Sequence, residues 1–200
     1  MSGRELEDER ETPAHAALHT LEGARDLVPH GYVCVHPGAP LASRRWYPER
    51  FAIVADALAA RGLRVVLTGT AAEIVPARRV AELMIAPAVN LAGKTTFGTF
   101  SALIDGARLV VANDTGVRRV AAARGTPCVA VACGTDVCVA ASGQSERLLF
   151  AEVTCRPCVH ERCPVGHPCA HGVESREVLA AAGELLARPP SASESPICTV

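Results

Sequence analysis

The chain has 200 residues, 49% hydrophobic and 20% charged, with 20 basic against 21 acidic side chains and a net charge of −1. That is apolar material for one sizeable core, which excludes wholesale disorder. The charge balance offers no general attraction to nucleic acid or an anionic membrane. Aromatic residues make up only 4%, too few for a stacking platform on single-stranded nucleic acid. No apolar run reaches the roughly 20 residues of a membrane-spanning helix. The first 25 residues are too charged for a signal peptide, so the expectation is a cytoplasmic protein.

Residues 1–30 begin with a charged stretch, Arg4 to Glu11, without apolar periodicity, and read as an N-terminal arm that is flexible or weakly helical. Tyr32–His36 is a short apolar strand leading into the turn Pro37-Gly38. Pro48 opens a helix in which Phe51, Val54, Ala55 and Leu58 share one face, and Gly62 stops it. Arg64–Thr68 is the next strand, entering the turn Gly69-Thr70. A helix from about Ala72 to Ile85 is interrupted or restarted by Pro76. Val89–Leu91 is a short strand, and Phe97, Phe100, Ser101 and Ile104 mark the face of another helix. Leu109–Ala112 and Cys128–Val131 are unbroken apolar runs, as expected of strands buried on both faces. An Ala-rich helix, Val117–Arg124, lies between them, and a last helix spans about Ser175 to Leu186. Residues 188–200, rich in Pro and Ser, read as a disordered tail.

This alternation predicts an α/β fold over residues 31–187, a Rossmann-like open parallel sheet with helices on both faces. In such sheets ligands bind beyond the carboxyl ends of the strands, and four turns there carry chemistry. Asn113-Asp114-Thr115-Gly116 follows a buried strand and opens a helix, whose amides suit an anion. An ordinary N-cap by Asp114 or Thr115 explains the same residues. Glu73 follows another strand, placed either to accept from ribose hydroxyls or to complement its helix dipole. Gly93-Lys94-Thr95 resembles the end of a phosphate-binding P-loop, but position 88 is Ala where that motif needs Gly. A P-loop is therefore rejected, although Lys94 is the only lysine in the chain. Arg44-Arg45 suits a diphosphate, against the default of a solvated basic loop.

The order of these motifs resembles glycosyltransferase family 9, the heptosyltransferase-like glycosyltransferases. His36-Pro37-Gly38-Ala39 and Arg44-Arg45-Trp46-Tyr47-Pro48 come first, then Leu67-Thr68-Gly69 with Glu73. Asn90 to Thr95, Asn113-Asp114-Thr115-Gly116 and Gly125-Thr126-Pro127 complete it. The likeness runs from about Tyr32 to Leu186 and covers the family's C-terminal half. It implies the nucleotide-sugar-binding domain of a two-domain GT-B enzyme, binding an ADP-heptose-like donor for inverting transfer in lipopolysaccharide-core biosynthesis. By the same resemblance Arg44 contacts the donor phosphate, Glu73 the ribose and Asp114 the sugar hydroxyls. The amides around Thr115, Gly116 and Val117 take the diphosphate, and Lys94 joins the donor-binding set. Two arginines, Arg118-Arg119, stand where the family usually has a small residue and His. The acceptor site and the general base belong to the family's first half. This chain by itself is thus expected to bind donor without useful transfer, unless a separate acceptor domain or a homo-oligomer completes it. Non-catalytic nucleotide-sugar binding is the alternative. No cofactor is implied for transfer.

Eight of the nine cysteines form two groups. Cys34, Cys128, Cys133 and Cys138 lie in or beside apolar runs and read as core packing. Cys155-x2-Cys158-x4-Cys163-x5-Cys169, with His160, His167 and His171 interleaved, suits a structural zinc or an iron–sulfur cluster. Reduced thiols and local disulfides compete with that reading, and a third functional reading follows from it, a small metal-binding or redox-responsive protein. Its geometric requirement is that at least three of the four sulfurs meet.

Overall fold

A computed structural model describes residues 16, 19–21, 23–24, 26–136 and 144–187. Six strands are β1 (Tyr32–His36), β2 (Arg64–Leu67), β3 (Ala88–Asn90), β4 (Leu109–Asn113), β5 (Cys128–Val131) and β6 (Glu146–Leu149). They form one sheet in the order β3-β2-β1-β4-β5-β6, and every neighbouring pair is parallel. Cys34 pairs with Val66 on one side and Val110 on the other. This is the Rossmann strand order, whose direction reverses between β1 and β4. Strand β6 escaped the sequence reading. The tail 188–200 and Cys138 lie outside the described residues.

Successive residues of a strand face opposite sides, and the two faces bury separate cores. Val33, Val35, Val65, Leu67, Val111 and Val129 pack on one side against helices α1 (Pro48–Ala59), α2 (Ile74–Leu83) and α6 (Ser175–Leu186). Tyr32, Cys34, Val66, Val110 and Ala130 pack on the other against α3 (Phe97–Asp105) and α4 (Gly116–Arg124). A short helix α5 (Pro168–His171) lies in the Cys-rich stretch. Ala24 and Leu27, 0% and 5% exposed, join the second core. The described part of the arm expected over residues 1–30 is therefore packed rather than free: apolar residues at 21, 24 and 27 recur too briefly to read as a helix, yet suffice to fill one edge of the sheet.

Local sequence explains the helix ends. Pro48 is the first residue of α1, where its fixed φ and missing N–H cost nothing. Thr70 and Glu73 form a reciprocal capping box around a single 3-10 turn, Ala71–Glu73, ahead of α2. Pro76 thus falls in the first turn of α2, among N–H groups without a helical partner anyway, and the helix runs through it. Gly125, at φ +68°, ends α4 in the left-handed conformation.

Candidate functional site

A cavity of about 390 Å³ opens beyond the carboxyl ends of β1, β2, β3 and β4, at the point where strand order reverses. His36 and Glu73 form its floor. The His36 Nδ1 lies 3.0 Å from Thr68 Oγ1 and its Nε2 lies 3.4 Å from Glu73 Oε2. Glu73 Oε2 also accepts from the Thr70 amide and hydroxyl, each at 2.8 Å. The hydrogen bond from His36, then those from Thr70, outweigh burial and hold the Glu73 carboxyl at about 2 against an ordinary 4.5. A buried carboxylate is thereby kept charged at neutral pH. Gly38 is required beside it, because a Cβ there would come within 2.4 Å of Glu73 Oε1.

The opposite wall is the start of α4, where Thr115, Gly116 and Val117 line the cavity with Val120. Thr115 Oγ1 is buried without a hydrogen-bond partner among the described residues. Phe97, 75% exposed, and Phe100 supply an apolar side, and Thr95 and Thr96 a polar one.

Four of the donor-binding residues expected from sequence, Glu73, Thr115, Gly116 and Val117, line this cavity, and three do not. Arg44 ends a 3-10 turn, Ala42–Arg44, with its Nε buried and unpartnered among the described residues. Lys94 is exposed, just after the left-handed Gly93. Asp114 is turned to Arg118, whose Nε lies 3.4 Å from Asp114 Oδ1 and 3.0 Å from Glu146 Oε1. Arg118 is thus engaged between two carboxylates, whereas Arg119 is exposed.

One residue quoted only as part of a motif proves to brace the site. Asn113 is fully buried at the end of β4. Its Nδ2 donates to the Pro37 and Gly38 carbonyls at 2.9 and 3.2 Å, and its Oδ1 accepts from the Trp46 amide at 2.9 Å. Trp46 Nε1 in turn donates to Val173 O at 3.0 Å. A buried amide at a strand end is the signal, but its partners are distant in sequence.

The cysteine expectation needs correction. Among the described residues the Cys/His group whose ligand atoms lie within 4.8 Å of one another is Cys133, His167 and Cys169. Cys155 is exposed. Cys158 packs on Gly134 and donates its amide to Gly134 O at 2.7 Å. Cys163 Sγ accepts from the His167 amide at 3.1 Å. No three of the four sulfurs of the 155–169 series therefore meet, and Cys133 at the end of β5 stands beside Cys169 instead. A hydrogen bond between Cys133 and Cys169 raises the first thiol's pKa and lowers the second's.

Residues 3–168 match the family described as glycosyltransferase family 9 (heptosyltransferase). The chain belongs to glycosyltransferase family 9. It is 37% identical over 112 residues to lipopolysaccharide heptosyltransferase 3 of Escherichia coli, covering 54% of this chain and 33% of that protein. Its fold matches the E. coli ADP-heptose lipopolysaccharide heptosyltransferase II with a TM-score of 0.73 at 22% identity, over 88% of this chain and 52% of that one. It also matches the E. coli heptosyltransferase WaaC with ADP-2-deoxy-2-fluoro heptose, with a TM-score of 0.59 at 19% identity, over 86% and 48%. The sheet is thus that of a GT-B glycosyltransferase domain. The chain spans about one third of the curated relative it matches and about half of these solved ones.

Proposed function

We propose that this chain provides the donor-binding part of a heptosyltransferase-type glycosyltransferase, taking an ADP-heptose-like nucleotide sugar in the cavity between β1 and β4. The observation that carries this reading is the buried, charged Glu73 facing the first amides of α4 across one cavity at the strand reversal. A charged carboxylate accepts from vicinal ribose hydroxyls, and free helix-start amides receive a diphosphate. In the proposed complex Glu73 takes the ribose. Thr115, Gly116 and Val117 take the diphosphate, with Arg44 and Lys94 approaching from the rim. Asp114 takes sugar hydroxyls once it exchanges Arg118 for them.

Inverting transfer proceeds by attack of an acceptor hydroxyl on the anomeric carbon as the nucleoside diphosphate departs. A general base removes the hydroxyl proton, and charge on the leaving diphosphate is stabilised by donors already in place. The base and acceptor site are assigned to a facing acceptor domain, and no cofactor takes part in the transfer. The cytoplasm, where sugar nucleotides are made, is the proposed compartment. The pairing of Asp114 with Arg118 favours a second reading, a nucleotide-sugar-binding partner that does not itself transfer.

The test is a calorimetric titration of the folded chain with ADP, ADP-heptose and a uridine-diphosphate sugar. Saturable binding of the adenine nucleotides, weakened in Glu73→Gln, is expected. A folded chain that binds none of them would overturn both readings. Donor turnover on adding an acceptor domain separates the first from the second.

A further inference from the structure

The end of β5 and the Cys-rich segment meet at Cys133, His167 and Cys169. Cys133 follows β5 and is 1% exposed, and Cys169 lies in α5 and is 4% exposed. Their ligand atoms and a ring nitrogen of His167 lie within 4.8 Å of one another. We propose that these three side chains, with Cys163 as the fourth ligand, hold a divalent transition-metal ion of the zinc type that pins residues 155–171 to the end of β5.

Three further observations support a metal over simple thiol packing. His167 Nε2 lies 2.8 Å from the Ser43 carbonyl, which can only accept. The Nε2 therefore carries the proton and Nδ1 keeps its lone pair. An imidazole fixed in this way by a backbone carbonyl is how histidine ligands to metals are usually oriented. His167 also holds the left-handed conformation, at φ +62°, at the threshold of α5. This sharp turn brings His167 and Cys169, two residues apart, to the same side as Cys133. Its own amide donates to Cys163 Sγ at 3.1 Å, which sets the fourth thiol against the backbone of the His167 ligand.

The third observation concerns charge. Arg156 lies close enough to act on both the Cys133 and Cys169 sulfurs. It is anchored by bonds to the Thr135, Ala132 and Ala151 carbonyls at 2.6, 3.0 and 3.1 Å, while its Nε is buried without a hydrogen-bond partner among the described residues. A fixed, half-buried guanidinium suits an anionic centre, and three thiolates around a divalent ion carry one net negative charge. Thiolate and imidazole donors select zinc-type ions over magnesium or calcium, and four such ligands close the tetrahedron.

The experiment uses the full chain purified under reducing conditions. Elemental analysis should find about one zinc or iron ion per chain. Cobalt substitution should give thiolate-to-cobalt charge transfer with tetrahedral ligand-field bands. Cys133→Ser, Cys169→Ser and His167→Gln should each lose stoichiometric metal, and Cys163→Ser should weaken binding by about tenfold or more. Exposed Cys155→Ser should retain it. The cobalt spectrum of the unmodified chain keeps the test sound if a variant misfolds. A featureless spectrum with no bound metal would overturn the proposal, as would loss of metal in Cys155→Ser equal to that in Cys133→Ser.

Discussion

The carboxyl edge of one sheet serves two opposite ends in this molecule. Over β1 to β4 the edge is left open: small residues, a charged carboxylate and helix-start amides surround a cavity of about 390 Å³. Over β5 and β6 the edge is filled. Arg156 inserts among three backbone carbonyls there, and Cys158 seats on Gly134. Glycine makes the difference legible. At Gly38 the space a Cβ would occupy belongs to Glu73, and at Gly134 it belongs to Cys158. In the first case the vacancy admits a polar group that faces a ligand space. In the second it lets a loop close down on the strand end.

The largest expected effect comes from the residue that joins the two regions. Asn113→Ala strands the Trp46 amide and two carbonyls, each buried orphan costing about 1–3 kcal/mol. A total loss of at least about 3 kcal/mol in chemical denaturation is expected, and a loss within experimental error would show that Asn113 braces neither region. Arg156→Leu should act on the filled edge alone. Removing its carbonyl contacts should cost about 2–3 kcal/mol, as for hydrogen bonds of a charged donor, with ADP affinity changed less than in the next variant.

Arg44→Ala should act on the open edge alone. It should weaken ADP binding by about 1–3 kcal/mol in calorimetry while leaving the unfolding midpoint in place. Unchanged affinity would remove Arg44 from the donor site.

The last effect separates charge from shape. The Glu73 carboxyl is held at about 2 in the fold against 4.5 ordinarily. A depressed carboxyl contributes stability that is fully present above 4.5 and is lost as pH falls toward 2. Relative to Glu73→Gln, the unmodified chain should therefore lose stability across that window, and parallel pH profiles would show that the carboxylate is not held by His36. Gly38→Ala should abolish the same difference by displacing the carboxylate rather than neutralising it.

Most of the sheet was readable because strands buried on both faces, such as Leu109–Asn113, are unbroken apolar runs. Strand β6 was not, since Glu146 and Arg147 break its apolar character: Glu146 turns to Arg118 and Arg147 to Glu184. The cavity turns were readable in the same way, each following an apolar strand. What chain order conceals is pairing between turns. His36 meets Glu73 only because β1 and β2 are neighbours. Cys133 displaces its expected rivals beside Cys169 only because the loop after β6 folds back over β5. Spacing within a segment reports local geometry, and these contacts are made between segments.

Ser43 has an importance out of proportion to its size. Its amide donates to Glu161 O at 3.0 Å, its hydroxyl to His160 O at 2.5 Å, and its carbonyl receives His167 Nε2 at 2.8 Å. The residue next to Arg44 thus takes all three of these bonds from the Cys-rich segment. For anyone transplanting parts between relatives, residues 155–171 and the turn at residues 42–44 form a single heritable unit. A chimera that exchanges one without the other would inherit a guanidinium hung from the wrong frame.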